Sequence, residues 1–222
     1  MKVKLSFEKS HSNDLSIMVD VLRASTTITI AMDHFKEVIP VVEHVEALKI
    51  AREKEALIAG ERRGSTLDGF DAGNSPIEIQ KLSGKTLVLT TSNGTRIMEG
   101  MNSKVLVGCF TNAHAVAMAA QELSSEEIEI VMAGVEGRFA IEDFLGAGEI
   151  ISNLQNQDLS EYAQAAVMAV QDKNLVKDAV LKSRSAKRLS EIGFKKDIEF
   201  CLRANISTNV PQFINKSIKK II

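Results

Sequence analysis

The sequence predicts an α/β fold in which helices cover both faces of a largely parallel or mixed sheet, followed by a helical C-terminal part. Three observations favour this class. Over the first two-thirds of the 222 residues, short runs rich in Val, Ile and Leu alternate with amphipathic stretches. Gly, Asn or Pro bounds these runs, as is typical of strands that end in turns. From residue 160 onward the pattern is mostly helical.

The apolar runs predict the strands and the amphipathic stretches predict the helices. The predicted strands cover residues 2–7, 16–22, 37–42, 57–60, 86–91, 104–109 and 127–133. The helices between them cover residues 24–35, 43–55, 76–82, 95–101, 112–123 and 141–154. Later helices, expected to pack over the sheet, cover residues 160–171, 174–181, 185–191 and 195–203. We expect one domain over residues 1–222, in which residues 160–203 could form a helical subdomain, because no linker or internal repeat interrupts the chain.

A charged, glycine-rich loop connects the fourth strand to the third helix. This segment, GERRGSTLDGFDAGNSP at residues 60–76, holds four of the chain's thirteen glycines. At its end, Ser75 can cap a helix, Pro76 suits the first helical position, and Glu78 completes a capping box. Arg63 and Asp68 within the loop are expected to face water.

The composition excludes several classes of function. Lys plus Arg number 27 and Asp plus Glu number 29, so no broad basic surface is available for nucleic acid or an anionic membrane. A small anion would need only a local cluster of arginines. Neither a signal peptide nor an apolar run of about 20 residues is present, so a cytoplasmic protein is expected.

Polar residues collect after five of the predicted strands. In chain order, the clusters are Asp20 and Arg23; Glu61, Arg62, Asp68, Asp71 and Asn74; Thr91, Ser92, Asn93, Thr95 and Arg96; Cys109, Thr111 and Asn112; and Glu136, Arg138, Glu142 and Asp143. In open α/β sheets, ligands bind outside the carboxyl ends of the strands. If the strands are parallel, these clusters converge in one crevice.

The residue types in this crevice indicate phosphate chemistry. Forked arginine donors match phosphate or sulfonate oxygens, and the arginines concerned are Arg23, Arg62 and Arg96. The backbone at Asn93, Gly94 and Thr95 could place N–H groups at a helix start, which suits anions. Hard oxygen ligands for Mg²⁺ come from Asp20, Glu61, Asp71, Glu142 and Asp143. Together these groups indicate phosphoryl transfer or phosphate-ester hydrolysis.

Several of these residues also have a purely structural interpretation. Asp71 could bond its own loop backbone, and Arg23 could form a surface ion pair with Asp20. Adjacent residues on a helix lie about 100° apart, so only one of Glu142 and Asp143 is expected to point into the site, with Asp143 slightly favoured.

Known covalent phosphatase motifs are missing from the sequence. Cys109 is expected to be a small buried residue, because cysteine phosphatases need an arginine six positions later, where this chain has Ala115. Asp20 lacks the second aspartate of a DxDx[TV] motif, and no Walker A sequence is present. The four histidines have no zinc-ligand spacing. A water nucleophile activated by a metal is therefore favoured over a covalent enzyme intermediate.

Five sequence blocks, in the same order, resemble the 2-phosphosulfolactate phosphatase family known from coenzyme M biosynthesis. They are VDVLRAST (19–26), GERRGSTLDGFDAGNSP (60–76), TTSNGTR (90–96), the AG–G-F–ED-AG pattern across 133–148, and DIEFC (197–201) followed by Val210 and Pro211. The resemblance implies a three-layer α/β/α fold with a mixed sheet. It also implies Mg²⁺-dependent hydrolysis of 2-phospho-3-sulfolactate to 3-sulfolactate and phosphate.

The predicted site combines three sets of residues. The catalytic set is Asp20, Glu61, Asp71 and Asp143. The substrate-binding set is Arg23, Arg62, Asn93, Gly94, Thr95 and Arg96. The Mg²⁺ ligands are drawn from Asp20, Asp71, Glu142 and Asp143.

Two alternatives to this hypothesis stay open. One is a similar small phosphorylated 2-hydroxy acid as substrate, and the other is a non-catalytic sensor of a phosphorylated or sulfonated metabolite. The expected partner is a small anionic phosphorylated substrate, with no nucleic acid and no membrane. The chain could also form a homodimer, the commonest oligomer.

Overall fold

The fold is described by a computed structural model that covers residues 1–62, 64–91 and 93–221. Arg63, which is predicted to face water, and Ser92, which is part of a predicted polar cluster, lie outside the described residues. Within these three ranges, no helix is long and apolar enough to cross a membrane.

Eleven strands of the described chain form one mixed sheet, which confirms the predicted α/β class. They are β1 (Lys2–Phe7), β2 (Leu15–Val19), β3 (Phe35–Val41), β4 (Leu57–Arg62), β5 (Ser65–Thr66), β6 (Gly84–Thr90), β7 (Lys104–Gly108), β8 (Glu127–Met132), β9 (Asp158–Leu159), β10 (Pro211–Ile214) and β11 (Ser217–Lys220). Their order across the sheet is β5-β4-β6-β3-β11-β10-β7-β2-β8-β1-β9.

Helices lie around this sheet. They are α1 (Ala24–Ala31), α2 (His44–Glu53), α3 (Pro76–Ile79), α4 (Gly94–Glu99), α5 (Ala113–Leu123), α6 (Ile141–Ser152), α7 (Glu161–Ala169), α8 (Lys173–Leu181), α9 (Arg184–Glu191) and α10 (Lys195–Cys201), with a 3₁₀ turn at Phe110–Asn112. Helices α5 and α6 share a buried cluster with β1, β2, β7 and β8, whereas α2 packs with β3, β4 and β6. Every residue of α1 is buried.

The start of α3 forms as its sequence predicts, with one difference. Oγ of Ser75 accepts a hydrogen bond from the Glu78 N–H at 3.2 Å. The Glu78 carboxylate, however, accepts from the Gly73 N–H at 2.9 Å rather than reaching back to Ser75. The glutamate therefore holds the end of the glycine-rich loop against the helix that follows it.

Four strands are not predicted by the sequence pattern. Strands β5 and β9 have two residues each, too short to show a periodicity. Strands β10 and β11 form an antiparallel hairpin between β3 and β7, in the middle of the sheet. Strand β2 ends at Val19, three residues before its predicted end, so the site-bearing turn begins at Asp20.

The hairpin separates two groups of parallel strands. One group is β1, β2, β7, β8 and β9, and the other is β3, β4 and β6. Between β7 and β3 there are three successive antiparallel pairings, so the two groups run in opposite directions. The sheet is therefore mixed, one of the two arrangements that the sequence predicts, and the condition that all these strands are parallel does not hold.

The segments that follow β2 and β6 nevertheless approach each other. Met18 of β2, Leu89 of β6 and Ile28 of α1 belong to one buried cluster. At the start of α4, a Cβ added to Gly94 would come within 3.2 Å of Met18 Cε and 3.5 Å of Asp20 Oδ2. Glycine thus permits the close approach that brings the two polar clusters together.

Candidate active site

A cavity of about 110 Å³ lies where the ends of β2, β4 and β6 meet. Its lining comes from most of the polar clusters and from the helical C-terminal part, and it comprises Asp20, Leu22, Arg23, Glu61, Gly64, Asn74, Thr91, Asn93, Val135, Glu136, Ser185, Arg188 and Leu189. The structure therefore brings together Asp20, Arg23, Glu61 and Asn93 of the predicted site residues.

Asp20 is a buried carboxylate at the mouth of the turn after β2. Only 8% of the residue is exposed, and its Oδ1 accepts a hydrogen bond from the Ala24 N–H at 3.2 Å. Burial raises the pKa of Asp20 to about 7, and the charges of Glu61 and Glu142 act in the same direction. The Ala24 N–H and the Arg23 charge oppose this rise without cancelling it. Such a carboxylate either exchanges a proton near neutral pH or needs a cation beside it.

Glu142 and Asp143, in the first turn of α6, are both buried, and neither lines the cavity. Asp143 accepts hydrogen bonds from the Val21 N–H at 2.8 Å and the Gly134 N–H at 2.9 Å. Burial, followed by the charges of Asp20 and Glu142, raises the pKa of Asp143 well above its usual range. Asp143 thus ties together the loops after β2 and β8, whereas Glu142 lines a neighbouring groove.

Arg23 is engaged by protein groups, and its partner is not Asp20. Its Nη1 donates to Asp197 Oδ2 at 2.6 Å, its Nη2 donates to the Gly64 carbonyl at 2.7 Å, and its guanidinium lies 4.4 Å from the centre of the Phe194 ring. The second oxygen of Asp197 accepts from Ser75 Oγ at 2.8 Å. Burial raises the pKa of Asp197 although both neighbours donate to it. This buried ion pair joins the turn after β2 to the glycine-rich loop and to α10.

Arg62 does not line the cavity. Its Nη1 donates to the Glu61 carbonyl at 2.8 Å and to Thr90 Oγ1 at 3.1 Å, and its Nη2 donates to the Val42 carbonyl. These contacts join the ends of β3, β4 and β6, so the guanidinium stabilises the sheet.

Arg96 and Asp71 also lie away from the cavity. The Arg96 side chain is 61% exposed and pairs with Glu8 at 3.4 Å. Asp71 is exposed, and its Oδ2 accepts from the Ile58 N–H at 2.8 Å, so it bonds the backbone of β4 rather than that of its own loop. Arg96 and Asp71 are therefore not placed to contact a molecule in the cavity.

The residues at the start of α4 divide between the cavity and the packing beneath it. Asn93 lines the cavity. Gly94 and Thr95 are buried, and the Thr95 hydroxyl lies 3.2 Å from that of Thr91. Helix α4 has only six residues and packs against β2. This packing positions Asn93.

Asn74 and Arg188 line the cavity but are absent from the predicted site. Asn74 is 4% exposed, and its Oδ1 has no hydrogen-bond partner among the described residues. Arg188 of α9 is half-buried, and within the same ranges its side chain forms no hydrogen bond or ion pair. Asn74 lies within the GFDAGNSP block, and this position is the sequence signal that could have identified it as a site residue. Arg188 stands in a run of charged residues that resembles an ordinary solvated helix.

Among the described residues, acidic residues, histidines and cysteines do not by themselves form a preassembled metal site. Among residues 1–62, 64–91 and 93–221, no three such side chains are grouped so that they could hold an ion. The cavity does contain the carboxylates of Asp20 and Glu61 and the amide of Asn74.

Comparison with known proteins places the chain in a family. The model of the 2-phosphosulpholactate phosphatase family matches residues 2–216. A protein of Methanothermobacter thermautotrophicus named 2-phosphosulfolactate phosphatase is 57% identical over 213 residues, which cover 96% of this chain and 92% of that protein. Proteins named probable 2-phosphosulfolactate phosphatase are 42% identical in Thermotoga petrophila (205 residues, 90% and 89% of the two chains) and 37% identical in Clostridium acetobutylicum (222 residues, 95% and 94%). With a match across nearly its whole length, the chain belongs to the 2-phosphosulfolactate phosphatase family.

Proposed function

We propose that this chain hydrolyses the phosphate ester of 2-phospho-3-sulfolactate to give 3-sulfolactate and phosphate. The activity named for its relatives is supported by one structural observation above the others. Buried carboxylates of Asp20 and Glu61 share a cavity with Arg188, a cation that has no partner within the described residues. A cavity with both charges suits a phosphate ester that binds beside a metal cation.

The residues of the cavity fit Mg²⁺. Asp20 and Glu61 offer hard oxygen atoms, and their mutual repulsion is part of the reason why the pKa of Asp20 is raised. Asn74 Oδ1 is a buried oxygen without a donor among the described residues, which a cation would satisfy. Mg²⁺ needs only one or two protein carboxylates when a phosphate supplies further oxygens. Asp20 and Asn74 would hold the ion.

Each residue then has a distinct part in hydrolysis. The chemistry that Mg²⁺ supplies when bound is neutralisation of phosphoryl charge and activation of a water molecule. The Glu61 carboxylate would take a proton from the water that attacks phosphorus. As the new phosphorus–oxygen bond forms, the ester bond to the 2-oxygen of sulfolactate breaks, and that oxygen takes up a proton from solvent water, to which Glu61 returns the proton that it accepted. Asp143 and Arg23 would position the loops that carry these groups, through the backbone and ion-pair contacts described above.

Phosphate release from 2-phosphosulfolactate tests the proposal. EDTA should abolish turnover and added Mg²⁺ should restore it, and Asp20→Asn should lose at least about 100-fold in kcat. Asp71→Asn is the matched control, because this exposed carboxylate lies outside the cavity. Calorimetric titration with Mg²⁺ should show weaker binding to Asn74→Ala. Full activity in EDTA would contradict the metal assignment, and binding of the substrate without phosphate release would indicate a sensor.

A further inference from the structure

A groove of about 490 Å³ continues from the reaction cavity along helix α9. The two share Val135, Glu136, Ser185 and Arg188, so a ligand could extend from one into the other. Four cationic residues line the groove, namely Arg138, Lys182, Arg184 and Arg188. No step of the proposed reaction uses these four positive charges.

Helix α9 presents its cations on one side because of its packing. Ser183 caps the helix by accepting from the Ala186 N–H at 3.1 Å. Ala186 and Leu189 are buried in a cluster with α10, which fixes the rotation of the helix. Arg184 and Arg188 are four residues apart and therefore lie on the same face, toward the groove.

The four cations differ in how far they are already neutralised. Lys182 pairs with Asp178 at 2.7 Å, and Arg184 Nη2 donates to the Phe139 carbonyl at 3.1 Å. Arg188 is half-buried and has no acceptor among the described residues. A guanidinium keeps its charge at any accessible pH, so its donors need an acceptor supplied from elsewhere.

The negative groups of the groove do not account for Arg188. Glu136 and Glu142 also line the groove, but neither forms an ion pair with Arg188. Four cations against two carboxylates leave the groove net positive. The reaction cavity beside it holds the carboxylates of Asp20 and Glu61, so the two compartments differ in charge.

We propose that Arg188, with the groove around it, binds the sulfonate of 2-phosphosulfolactate, which besides the carboxylate is the anionic group of the substrate that does not react. The inference rests on the proposed function. In this arrangement the phosphate occupies the carboxylate-lined cavity, and the non-reacting anion lies against Arg188 in the groove. The site therefore selects phosphate monoesters that carry a further strong anion on a short carbon chain. The planar guanidinium donates two parallel hydrogen bonds to such an oxyanion.

A pair of substrates that differ only in the sulfonate tests this assignment. The rate constant kcat/KM is measured for 2-phosphosulfolactate and for 2-phospholactate, with the wild-type protein and Arg188→Gln. The loss on 2-phosphosulfolactate should exceed the loss on 2-phospholactate by about 10- to 100-fold, the range for a charge-assisted hydrogen bond. Lys187→Gln, a neighbouring exposed cation that does not line the groove, is the control. Equal losses on both substrates would overturn the proposal.

Binding of the product separates this inference from the proposed activity. Calorimetric titration with 3-sulfolactate requires no turnover, and Arg188→Gln should weaken the affinity by about 10-fold or more, with partial recovery in Arg188→Lys. If the protein hydrolyses neither ester but binds 3-sulfolactate through Arg188, the activity fails and the subsite stands. Affinities that are equal in the wild type and in folded Arg188→Gln would refute the subsite, whatever the activity, whereas full affinity in Arg188→Lys alone would show that a positive charge suffices for binding.

Discussion

Asp20→Asn should stabilise the metal-free protein at pH 8 while it removes activity. Burial and two neighbouring carboxylates raise the pKa of Asp20 from its ordinary value of 3.8 to about 7. That difference of about 3 corresponds to about 4 kcal/mol, at about 1.4 kcal/mol for each tenfold change. The folded protein binds the proton more tightly than the unfolded chain, so the free energy of unfolding falls as pH rises from about 4 to about 7. Above that window the ionised carboxylate destabilises the fold by the whole amount.

Urea unfolding in EDTA at a series of pH values measures this effect. Asp20→Asn should be more stable than the wild type by about 2 to 4 kcal/mol at pH 8, and the two should converge near pH 4. Asp71→Asn, an exposed carboxylate, should show no such gain. Mg²⁺ at 100 times its dissociation constant should add about 2.7 kcal/mol to the wild type and much less to Asp20→Asn. The reasoning fails if Asp20→Asn is no more stable than the wild type at pH 8 without metal.

Three further substitutions test other parts of the structure. Arg96→Ala should keep near-normal kcat/KM in the phosphate-release assay, because this exposed side chain lies outside the cavity; a loss above about 10-fold would place it in the site. Arg23→Met should lower the free energy of unfolding in urea by about 3–5 kcal/mol, since it leaves Asp197 buried without its cation. Adding Asp197→Asn should recover part of this loss, and simple additivity would contradict the coupling. Gly148→Ala should lower the free energy of unfolding by about 1–3 kcal/mol in the same measurement, because its Cβ would lie 2.4 Å from the Ala166 carbonyl oxygen. Unchanged stability would show that α7 can shift away from α6 without a measurable cost.

The sequence predicts most of the fold because most elements are defined locally. Strand β1 and the first residue of α1 and of α6 are as predicted, and most other ends differ by one or two residues. The C-terminal hairpin was missed for a physical reason. Its strands have four residues each, and besides pairing with each other they pair with β3 and β7, which are far away in the sequence. No local pattern reports such a partnership.

The candidate site is predicted less well than the fold because residue type does not fix where a side chain points. Arg62 and Arg96 have the chemistry of anion ligands, yet the first holds three strand ends and the second lies in solvent. Arg188 has the same chemistry and lies in the cavity, because α9 packs its apolar face on α10. Asn74 is within a motif that the sequence does identify, but its unsatisfied oxygen is a property of the packed structure alone.

The site belongs to the junction between the two strand groups rather than to either one. Asp20 follows β2 of the first group, whereas Glu61 lies at the end of β4 in the second. The hairpin that joins these groups is anchored by Asn209, whose Nδ2 donates to the Thr29 carbonyl at 3.0 Å and to Asp33 Oδ1 at 2.7 Å. The buried pair of Arg23 with Asp197 of α10 forms a second tie. The distance between the two cavity carboxylates therefore depends on elements after residue 195, far from either carboxylate in the sequence, and the C-terminal part of the chain sets the geometry of the site even where it does not line it.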